Sequence, residues 1–478
     1  MRTRSVRAAP ESAAPPAPPG QAAPEDLLGP DPLPRRHIVF AVVAIALFMA
    51  SIDQTIVATA LGAIQTDLDA ELTWSGWTIT VYSLGQIIAM PMAGKLGDHF
   101  GRKRVFLVGI CVFVSASLAC GFANNIYLLV ALRAVQAVGG GAFMPSATGI
   151  VAEHFGRHRD RAVGMFTSIF PIGGIVGPIL GGIIVTYFGW RTIFLVNVPI
   201  GVVLLVLSYT LIAESPRKAA GRIDVGGLAL MATLMLATMY GLTNLDEGVT
   251  SPWFLVPELV AVGVAVLFVR HTVRHRAPFI PMRLLAGRGF GAMNLLNVLF
   301  GGAAIGFAAL VPLYAEKRFG LDPLQAGTLL TARGIGMICI AAMAVLALRR
   351  LGHRIPMIVG FGILVAGLVL MALPPPGISG YLWLSISAGV TGIGMGMSVP
   401  ASNNAGLQLA PDQIASIAGL RGMFRQSGAI IAVSVTTAVL ANSANPGMAQ
   451  AHAFIVLAVL LVAAIPLVFT IPDHRGSW

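Results

Sequence analysis

The sequence predicts an all-α integral membrane protein with fourteen transmembrane helices. Three observations predict this class: the apolar composition, the recurrence of long apolar stretches and the placement of positive charge. Of the 478 residues, 56% are hydrophobic and only 11% are charged, whereas a soluble domain carries about 25% charged residues. This composition argues against a soluble enzyme, a nucleic-acid-binding protein and a secreted disulfide-bonded scaffold.

Apolar stretches long enough to cross a hydrocarbon core of about 30 Å recur from Ile38 onward. Each stretch is predicted to be a helix, because inside lipid every backbone polar group must be bonded within its own segment. The predicted spans lie near 38–61, 74–94, 105–122, 126–150, 163–187, 192–213, 224–244, 253–271, 289–314, 324–347, 355–373, 380–402, 415–441 and 450–471.

Lysine and arginine fall mainly on one side of the predicted membrane. With a cytoplasmic N-terminus, 24 of the 31 basic residues lie in cytoplasmic segments, three lie in outer loops and four lie within spans. Cytoplasmic loops of membrane proteins are enriched in Lys and Arg, so both termini are predicted to be cytoplasmic. The formal charge of +11 is therefore explained by membrane orientation rather than by binding to nucleic acid.

Two short patterns occur once in each half of the chain. Phe100-Gly101-Arg102-Lys103 is echoed at 351–354, and the segment 141–146 is echoed at 396–401. Repeated halves of this kind are typical of secondary transporters. The sequence therefore predicts five parts: a disordered Pro- and Ala-rich tail at 1–36, a six-helix bundle at 37–213, a linker with two extra transmembrane helices at 214–286, a second six-helix bundle at 287–472 and a short tail at 473–478.

The loop after the second predicted span combines glycine and charge at regular spacing: Gly94, Asp98, Gly101, Arg102 and Lys103. The glycines permit a tight turn and a close approach of helices. Asp98 lies where the next helix begins, near the positive end of its dipole. Such a cluster can latch the two halves together on the cytoplasmic side and release them when they rock. A plain positive-inside loop would explain the basic residues but not their spacing.

Two charged residues are predicted to lie deep in the first bundle at similar depths. At about 1.5 Å per residue, Asp53 lies roughly 22 Å and Arg133 roughly 20 Å from the cytoplasmic side. Because a charge at the bilayer centre costs about 2.5–3.5 kcal/mol or more, each favours pairing with the other or with a wet cavity. A carboxylate in that setting is the kind of group that binds and releases a proton. The alternative is a structural ion pair.

The fifth predicted span carries a row of glycines at every fourth position, Gly173, Gly177 and Gly181, with Gly174, Pro178 and Gly182 beside it. Rows of small residues allow helices to approach closely, and a proline bends a helix by freeing a backbone carbonyl. We expect this row to form a moving contact between the two halves. The alternative is ordinary helix packing.

These motifs resemble those of the major facilitator superfamily. The loop at 94–104 is similar to that family's signature between its second and third helices, although His99 stands where the family usually has a basic residue. Residues 52–61 resemble the first-helix motif of its fourteen-span drug:H+ antiporters, residues 132–141 its arginine motif and residues 173–182 its antiporter motif. The resemblance covers the chain from about residue 37 and implies proton-driven efflux of drugs or similar amphiphiles.

Five polar residues are candidates for lining a substrate cavity: Gln54, Gln136, Arg333, Arg425 and Gln426. In the second half, Arg333 and Arg425 lie near mid-membrane and Arg421 is shallower. Each can face the cavity or bond the carbonyls of a broken helix. Because deep arginines outnumber deep acids, the composition favours neutral, anionic or singly charged substrates over dications.

The sequence thus predicts a proton-coupled antiporter that exports drugs or similar amphiphilic molecules, with Asp53 and Arg133 coupling the proton. Two alternatives stay open: a dedicated exporter of one endogenous metabolite or antibiotic, and a membrane sensor without transport. The chain has no ATP-binding loop of the form G-x-x-x-x-G-K-[ST], no nucleophile elbow and no metal-ligand spacing of its nine histidines. We therefore expect no enzymatic activity, cofactor, metal, ATP or nucleic acid. The expected partners of this plasma-membrane monomer are its substrate, protons and the lipid bilayer.

Overall fold

All regular secondary structure in the described part of the chain is helical. The computed structural model describes residues 35–70, 72–167, 169–214, 224–275, 278–287, 289–321, 323–410, 413–471 and 473. The predicted tails at 1–36 and 473–478 fall almost wholly outside these residues, as do parts of the linker.

The described part of the first half contains eight helical segments at the six predicted spans. Segments α5 and α6 share one span and flank residue 168, which lies outside the described residues, and α7 and α8 share another. The bounds are α1 (Arg36–Asp67), α2 (Leu72–Phe100), α3 (Arg102–Gly121), α4 (Ile126–Phe155), α5 (Arg159–Thr167), α6 (Ile169–Phe188), α7 (Thr192–Leu195) and α8 (Asn197–Leu211).

Two linker helices and a second bundle follow. The linker helices are α9 (Val225–Thr243) and α10 (Pro252–Arg274). The second half contains α11 (Met282–Ala286), α12 (Phe290–Gly301), α13 (Phe307–Phe319), α14 (Pro323–Leu351), α15 (Arg354–Ala372), α16 (Gly380–Gln408), α17 (Ile414–Ala441) and α18 (Pro446–Ala464). A π-helical turn, Gly302–Gly306, joins α12 to α13.

Side-chain caps and glycine turns set several helix ends. Asn125 accepts a hydrogen bond from the Leu128 backbone N–H (2.8 Å) at the start of α4, as a good N-cap residue does. Gly101 (φ +97°) separates α2 from α3, and Gly352 (φ +70°) separates α14 from α15. This region of φ favours glycine. Both repeated loops therefore make the tight turn that their glycines predict.

Fewer than fourteen of the described helices meet the length and apolar composition of a membrane span. Among the described residues, ten helices are long and apolar enough to cross a membrane, or eleven if α12 and α13 are one bent span. Helices α2, α6 and α14 lie at three further predicted positions but are not among these ten. The length and composition of the helices thus support ten or eleven spans, and fourteen stays a prediction.

One large hydrophobic cluster extends from the first half into the linker and the start of α17, and a second lies within the second half. Phe106, Phe113 and Phe143 are fully buried in the first, and Phe361 and Phe454 in the second. The linker helix α9 packs against both α2 and α17. It therefore lies over the junction of the two halves.

A hydrogen-bonded cluster ties the linker helices together. The Asp224 carboxylate caps α9 through the Gly227 N–H (2.8 Å), accepts a second bond from the Phe279 N–H (3.0 Å) and contacts His271 Nε2 of α10 (2.7 Å). Burial raises the pKa of Asp224, but these hydrogen bonds outweigh it and hold the pKa below its ordinary value. His275 lies close enough to share a metal ion with this pair, a proximity that histidine spacing in the sequence does not reveal. The hydrogen bonds already explain the carboxylate as a helix cap.

The described basic residues Arg36, Arg102, Lys103 and Arg104 lie where α1 and α3 begin, on the face where α2 and α4 end, which we call the basic face. Arg102 at the start of α3 pairs there with Glu153 near the end of α4 (2.8 Å). Lys103 pairs with Glu214, which follows α8 (3.5 Å). These contacts fix the ends of three helices of the first half relative to one another.

Candidate functional site

A fully buried ion pair lies inside the first bundle. Arg133 Nη1 of α4 donates to Asp53 Oδ2 of α1 at 2.7 Å, and neither side chain has any exposed surface. Arg133 Nε also donates to the Thr78 backbone oxygen of α2 (3.2 Å). Its guanidinium lies 4.0 Å from the centre of the Tyr82 ring. The two deep charges that the sequence singles out are therefore paired with each other.

Uncharged polar residues complete the network. Asp53 Oδ1 accepts hydrogen bonds from Gln136 Nε2 of α4 and from Asn197 Nδ2 of α8, both at 2.9 Å. Both amide groups also donate to Ser117 Oγ of α3 (3.1 Å each). Ser117 in turn donates to the Phe194 backbone oxygen (3.0 Å). Side chains of α1, α3, α4 and α8 thus meet at one carboxylate.

Protonation of Asp53 would change the hydrogen bonds that hold α1 to its neighbours. Both oxygens of Asp53 accept hydrogen bonds from the surrounding N–H donors. A proton would remove the negative charge that strengthens these hydrogen bonds. Gain of a proton therefore weakens the tie between α1 and the helices that carry Arg133, Gln136 and Asn197.

Ser117 and Tyr82 are functional candidates that the sequence does not single out. Asn197 lies in an apolar helix and could be identified from the sequence, because a buried amide in such a helix must find a hydrogen-bond partner. Ser117 has no comparable signal, since a serine in a membrane helix readily bonds the backbone of its own helix.

A second polar contact joins the two halves of the chain at the basic face. Asp98 Oδ2 at the end of α2 accepts hydrogen bonds from Ser416 Oγ (2.6 Å) and from the Ser416 N–H (3.3 Å). Ser416 lies in the first turn of α17, where unpaired N–H groups attract a carboxylate. A side chain on Gly94 would overlap the Ala415 backbone of α17. We call this contact of α2 with α17 the gate.

The basic residues of the loop do not carry the contact across the gate. Arg102 Nη2 reaches Asp98 at 3.4 Å within the same half, and its Nη1 donates to Glu153 (2.8 Å). Lys103 pairs with Glu214. The partner of Asp98 in the second half is a hydroxyl and a helix end, rather than the basic cluster that the sequence suggests.

Three glycines of the α6 row pack against the first bundle, while α6 as a whole also contacts α14 of the second half. Gly173, Gly177 and Gly181 face α1, where a Cβ would meet Ser51, Thr55 and Thr59 respectively. Gly174 and Gly182 have open space beside them, and the side chain of Pro178 is outside the described part of the structure. The row predicts the close helix approach correctly, but the neighbour is α1.

A cavity lies between the two halves, next to the gate. Its walls come from α2, α4, α5, the π-helical turn, α16 and α17, and none of its lining residues belongs to α9 or α10. The polar residues that line it are Thr148, Asn403, Arg421, Arg425 and Gln426. Of the predicted cavity residues, Arg425 and Gln426 are therefore in place.

Three predicted cavity residues do not line this cavity. Gln136 is fully buried against Asp53, and Gln54 on α1 is not in the lining. Arg333 donates to the Ala304 backbone oxygen and contacts Met395 Sδ. Ala304 belongs to the π-helical turn, where the regular backbone bonding is broken. Arg333 thus takes the other expected role and bonds the carbonyl of an irregular helix.

We expect Asp98→Asn to weaken the gate without removing the protein from the membrane. The variant loses the charge that strengthens the Ser416 bond and the attraction to the start of α17, together about 1–2 kcal/mol. Such a loss shifts a two-state equilibrium roughly five- to thirtyfold. Spin labels on α2 and α17 near the gate should report a larger open fraction by pulsed electron resonance.

The matched control is Asp246→Asn, which removes an exposed acid far from the gate in sequence and should leave the distance distribution unchanged. If the distribution of spin-label distances is unchanged in Asp98→Asn, the loop only orients the protein in the membrane and does not hold the gate closed.

Comparisons with known proteins agree with this architecture. The family model described as Major Facilitator Superfamily matches residues 43–433. The chain is 28% identical to the methylenomycin A resistance protein of Bacillus subtilis, over 92% of this chain and 95% of that protein. It is 30% identical to the multidrug resistance protein B homolog of Mycobacterium tuberculosis, over 84% and 76%.

A solved structure shows the same fold. The human organic anion transporter MFSD10 (TETRAN) matches with a TM-score of 0.68 at 15% identity, over 91% of this chain and 100% of that one. At this identity the likeness concerns the fold alone. The family model, in contrast, matches most of the length of the chain. The chain therefore belongs to the Major Facilitator Superfamily of multi-pass membrane transporters, which are not enzymes.

Proposed function

We propose that this chain is a proton-coupled antiporter that exports drugs or similar amphiphilic small molecules. The observation that carries the proposal is the sealed network in which Asp53 is bonded to Arg133, Gln136 and Asn197. Ionisable residues in membrane helices are rare and costly, and they mark proton relays and substrate pathways. The multidrug resistance relative supports export as the direction of transport.

The coupling we propose runs through α4. This helix carries Arg133 of the network and Thr148 of the cavity wall, which are roughly 22 Å apart along its axis. Protonation of Asp53 would weaken its bonds to Arg133 and Gln136 of α4, and substrate in the cavity contacts the same helix. The proton and the substrate therefore bias one structural equilibrium, and such coupling is reciprocal.

We further propose that the basic face is cytoplasmic, as the distribution of Lys and Arg favours. With the gate closed on that face, the cavity is reached from the outside, where substrate leaves and protons enter. Transport needs no ATP, and we propose that a monomer in the plasma membrane carries it out.

Inverted membrane vesicles test the proposal directly. When the lumen is acidified, addition of a transported amphiphilic dye should release protons from the lumen, because inward dye movement is exchanged for outward proton movement. A protonophore should stop uptake of the dye, and vesicles from cells without the gene give the baseline. Uptake driven by ATP after the gradient has been collapsed would contradict antiport.

A dedicated exporter of one antibiotic is the second candidate. It is favoured by the methylenomycin A resistance protein, which aligns over nearly the whole of both chains. Growth inhibition by a chemically diverse panel, with and without the gene, separates the two candidates. Protection against many compounds supports a multidrug exporter, protection against one supports a dedicated exporter, and a chain that moves no compound in vesicles would be a sensor.

A further inference from the structure

The cavity between the two halves is positively charged. Arg421 and Arg425 line it one helical turn apart on α17, and no acidic residue is among the residues that line it. Neither arginine belongs to an ion pair within the described part of the chain. Because residues four apart on a helix lie side by side, the two like charges raise each other's energy.

The two acids of the buried network and the gate already have hydrogen-bond partners outside the cavity. Asp53 is sealed in the first bundle by Arg133, and Asp98 is bonded across the gate to Ser416. No acid from these two sites is available to neutralise the cavity. A cation inside a membrane protein normally pairs with an acid or with carbonyl oxygens, so the charge of this cavity calls for another partner.

The side chain of Arg421 is fixed by hydrogen bonds that leave one of its N–H donors unused. Its Nη1 donates to the Asn403 backbone oxygen (2.5 Å), and its Nη2 donates to Asn403 Oδ1 (2.7 Å) and Ser402 Oγ (3.2 Å). These bonds to α16 fix the guanidinium, while its buried Nε–H has no acceptor among the described residues. The Nδ2 of Asn403 is also buried without an acceptor. Two donors that lack acceptors thus lie at the cavity wall.

Arg425 adds a third source of donors. Its guanidinium lies 5.5 Å from the centre of the Phe300 ring, and this stacking positions the group without using its N–H bonds. No described side chain or backbone oxygen accepts a hydrogen bond from it. A site whose charged groups are all donors is complementary to an anion, because a carboxylate offers two oxygens and about four lone pairs.

The rest of the wall is apolar. Met90, Met144, Ile305 and Leu407 line the cavity beside the two arginines. Methionine side chains adapt to irregular apolar shapes, so this wall suits a hydrophobic body next to a charged head.

We propose that the cavity binds amphiphilic anions, with a carboxylate-like head between Arg421 and Arg425 and the apolar body against the methionine-rich wall. This inference deepens the proposed function, on which it rests, by assigning the charge of the substrate. It excludes cationic amphiphiles as the preferred substrates, since a cation would meet two arginines in a space that water only partly screens.

Binding of two probes with the same apolar body and opposite charge tests the inference. The full chain in lipid nanodiscs is titrated calorimetrically with 4-phenylbutyrate and with 4-phenylbutylamine at neutral pH and no gradient. We expect 4-phenylbutyrate to bind at least tenfold more tightly. Arg425→Gln should weaken its binding at least tenfold, and Arg425→Lys should weaken it less, because a point charge remains.

Arg274→Gln is the matched control, since Arg274 is an exposed arginine at the end of α10 and should leave the affinity unchanged. Arg421→Gln also removes the ties to Asn403, so its thermal unfolding is compared with that of the parent chain. Equal or tighter binding of the amine, no binding of 4-phenylbutyrate, or unchanged affinity in Arg425→Gln would each overturn the inference. Because no gradient is present, failure of proton coupling would leave this result intact.

Discussion

We expect Asp53→Asn to abolish gradient-driven efflux while the protein still inserts into the membrane. Asparagine keeps the shape of the side chain but places an NH2 group where one carboxylate oxygen accepted hydrogen bonds. That group faces Arg133 or the amides of Gln136 and Asn197, so one donor meets another donor. More directly, the variant cannot gain or lose a proton, and export driven by ΔpH in inverted vesicles should fall at least tenfold.

Exchange of labelled for unlabelled substrate separates loss of coupling from loss of the protein. Exchange needs alternation of the binding site but no net proton movement, so Asp53→Asn should retain it, and Asp53→Glu should keep part of the efflux with a shifted pH optimum. Asp67→Asn is the control on the same helix, because Asp67 forms a half-exposed pair with Arg191 and accepts a hydrogen bond from Trp190 Nε1 (3.1 Å), and exposed pairs contribute about 0–1 kcal/mol. Accumulation of substrate by Asp53→Asn against its gradient would assign the proton to another group.

The pairing of Asp53 with Arg133 could be predicted because a membrane makes isolated charges expensive. Two charges at equal depth in one bundle have few other partners. Their uncharged neighbours could not be identified in the same way. Ser117 costs little to bury when it bonds a backbone oxygen, so nothing in the sequence distinguishes it from the other serines of the membrane helices.

At the gate, the partner of Asp98 could not be predicted from the sequence. The loop around Asp98 predicts a latch, but Ser416 lies 318 residues away and is one hydroxyl among many. In the second half, the corresponding loop keeps Gly352 and has no acid at the position of Asp98. The structure places Asp473 there instead, where its carboxylate accepts the His353 N–H (2.8 Å) and the Arg354 N–H (3.3 Å) at the start of α15. An acid from a distant segment takes the place of the missing one, which spacing within the loop cannot reveal.

The glycine row of α6 marks a face of the helix but not its neighbour. Spacing by four residues predicts that Gly173, Gly177 and Gly181 share one face, and the structure agrees. Which helix packs there depends on how the bundle is assembled. These three glycines support α1, and a moving contact between the halves stays a prediction for α6, which also contacts α14 of the second half.

That support makes Gly177 a sensitive position, and we expect Gly177→Leu to reduce transport at least tenfold. A Cβ at Gly177 would overlap Thr55 Oγ1 and lie 3.2 Å from the Ile52 backbone oxygen. These two residues flank Asp53 on α1. Overpacking of a tight contact costs about 1–3 kcal/mol, and the cheapest relief moves α1 away from α6, which displaces Asp53 from Arg133.

This mechanism predicts a rescue as well as a loss. Gly177→Ala should impair efflux less than leucine does, and Thr55→Ala should restore part of the activity of Gly177→Ala, because it removes the hydroxyl that the new methyl group meets. Coupling of this kind between two contacting residues typically amounts to about 0.5–3 kcal/mol. The matched control is Gly362→Leu on α15, an exposed helix position with no neighbour within 4 Å, which should transport normally. If Gly177→Leu transports as well as this control, the row does not support α1 and the position of Asp53 is set by other contacts.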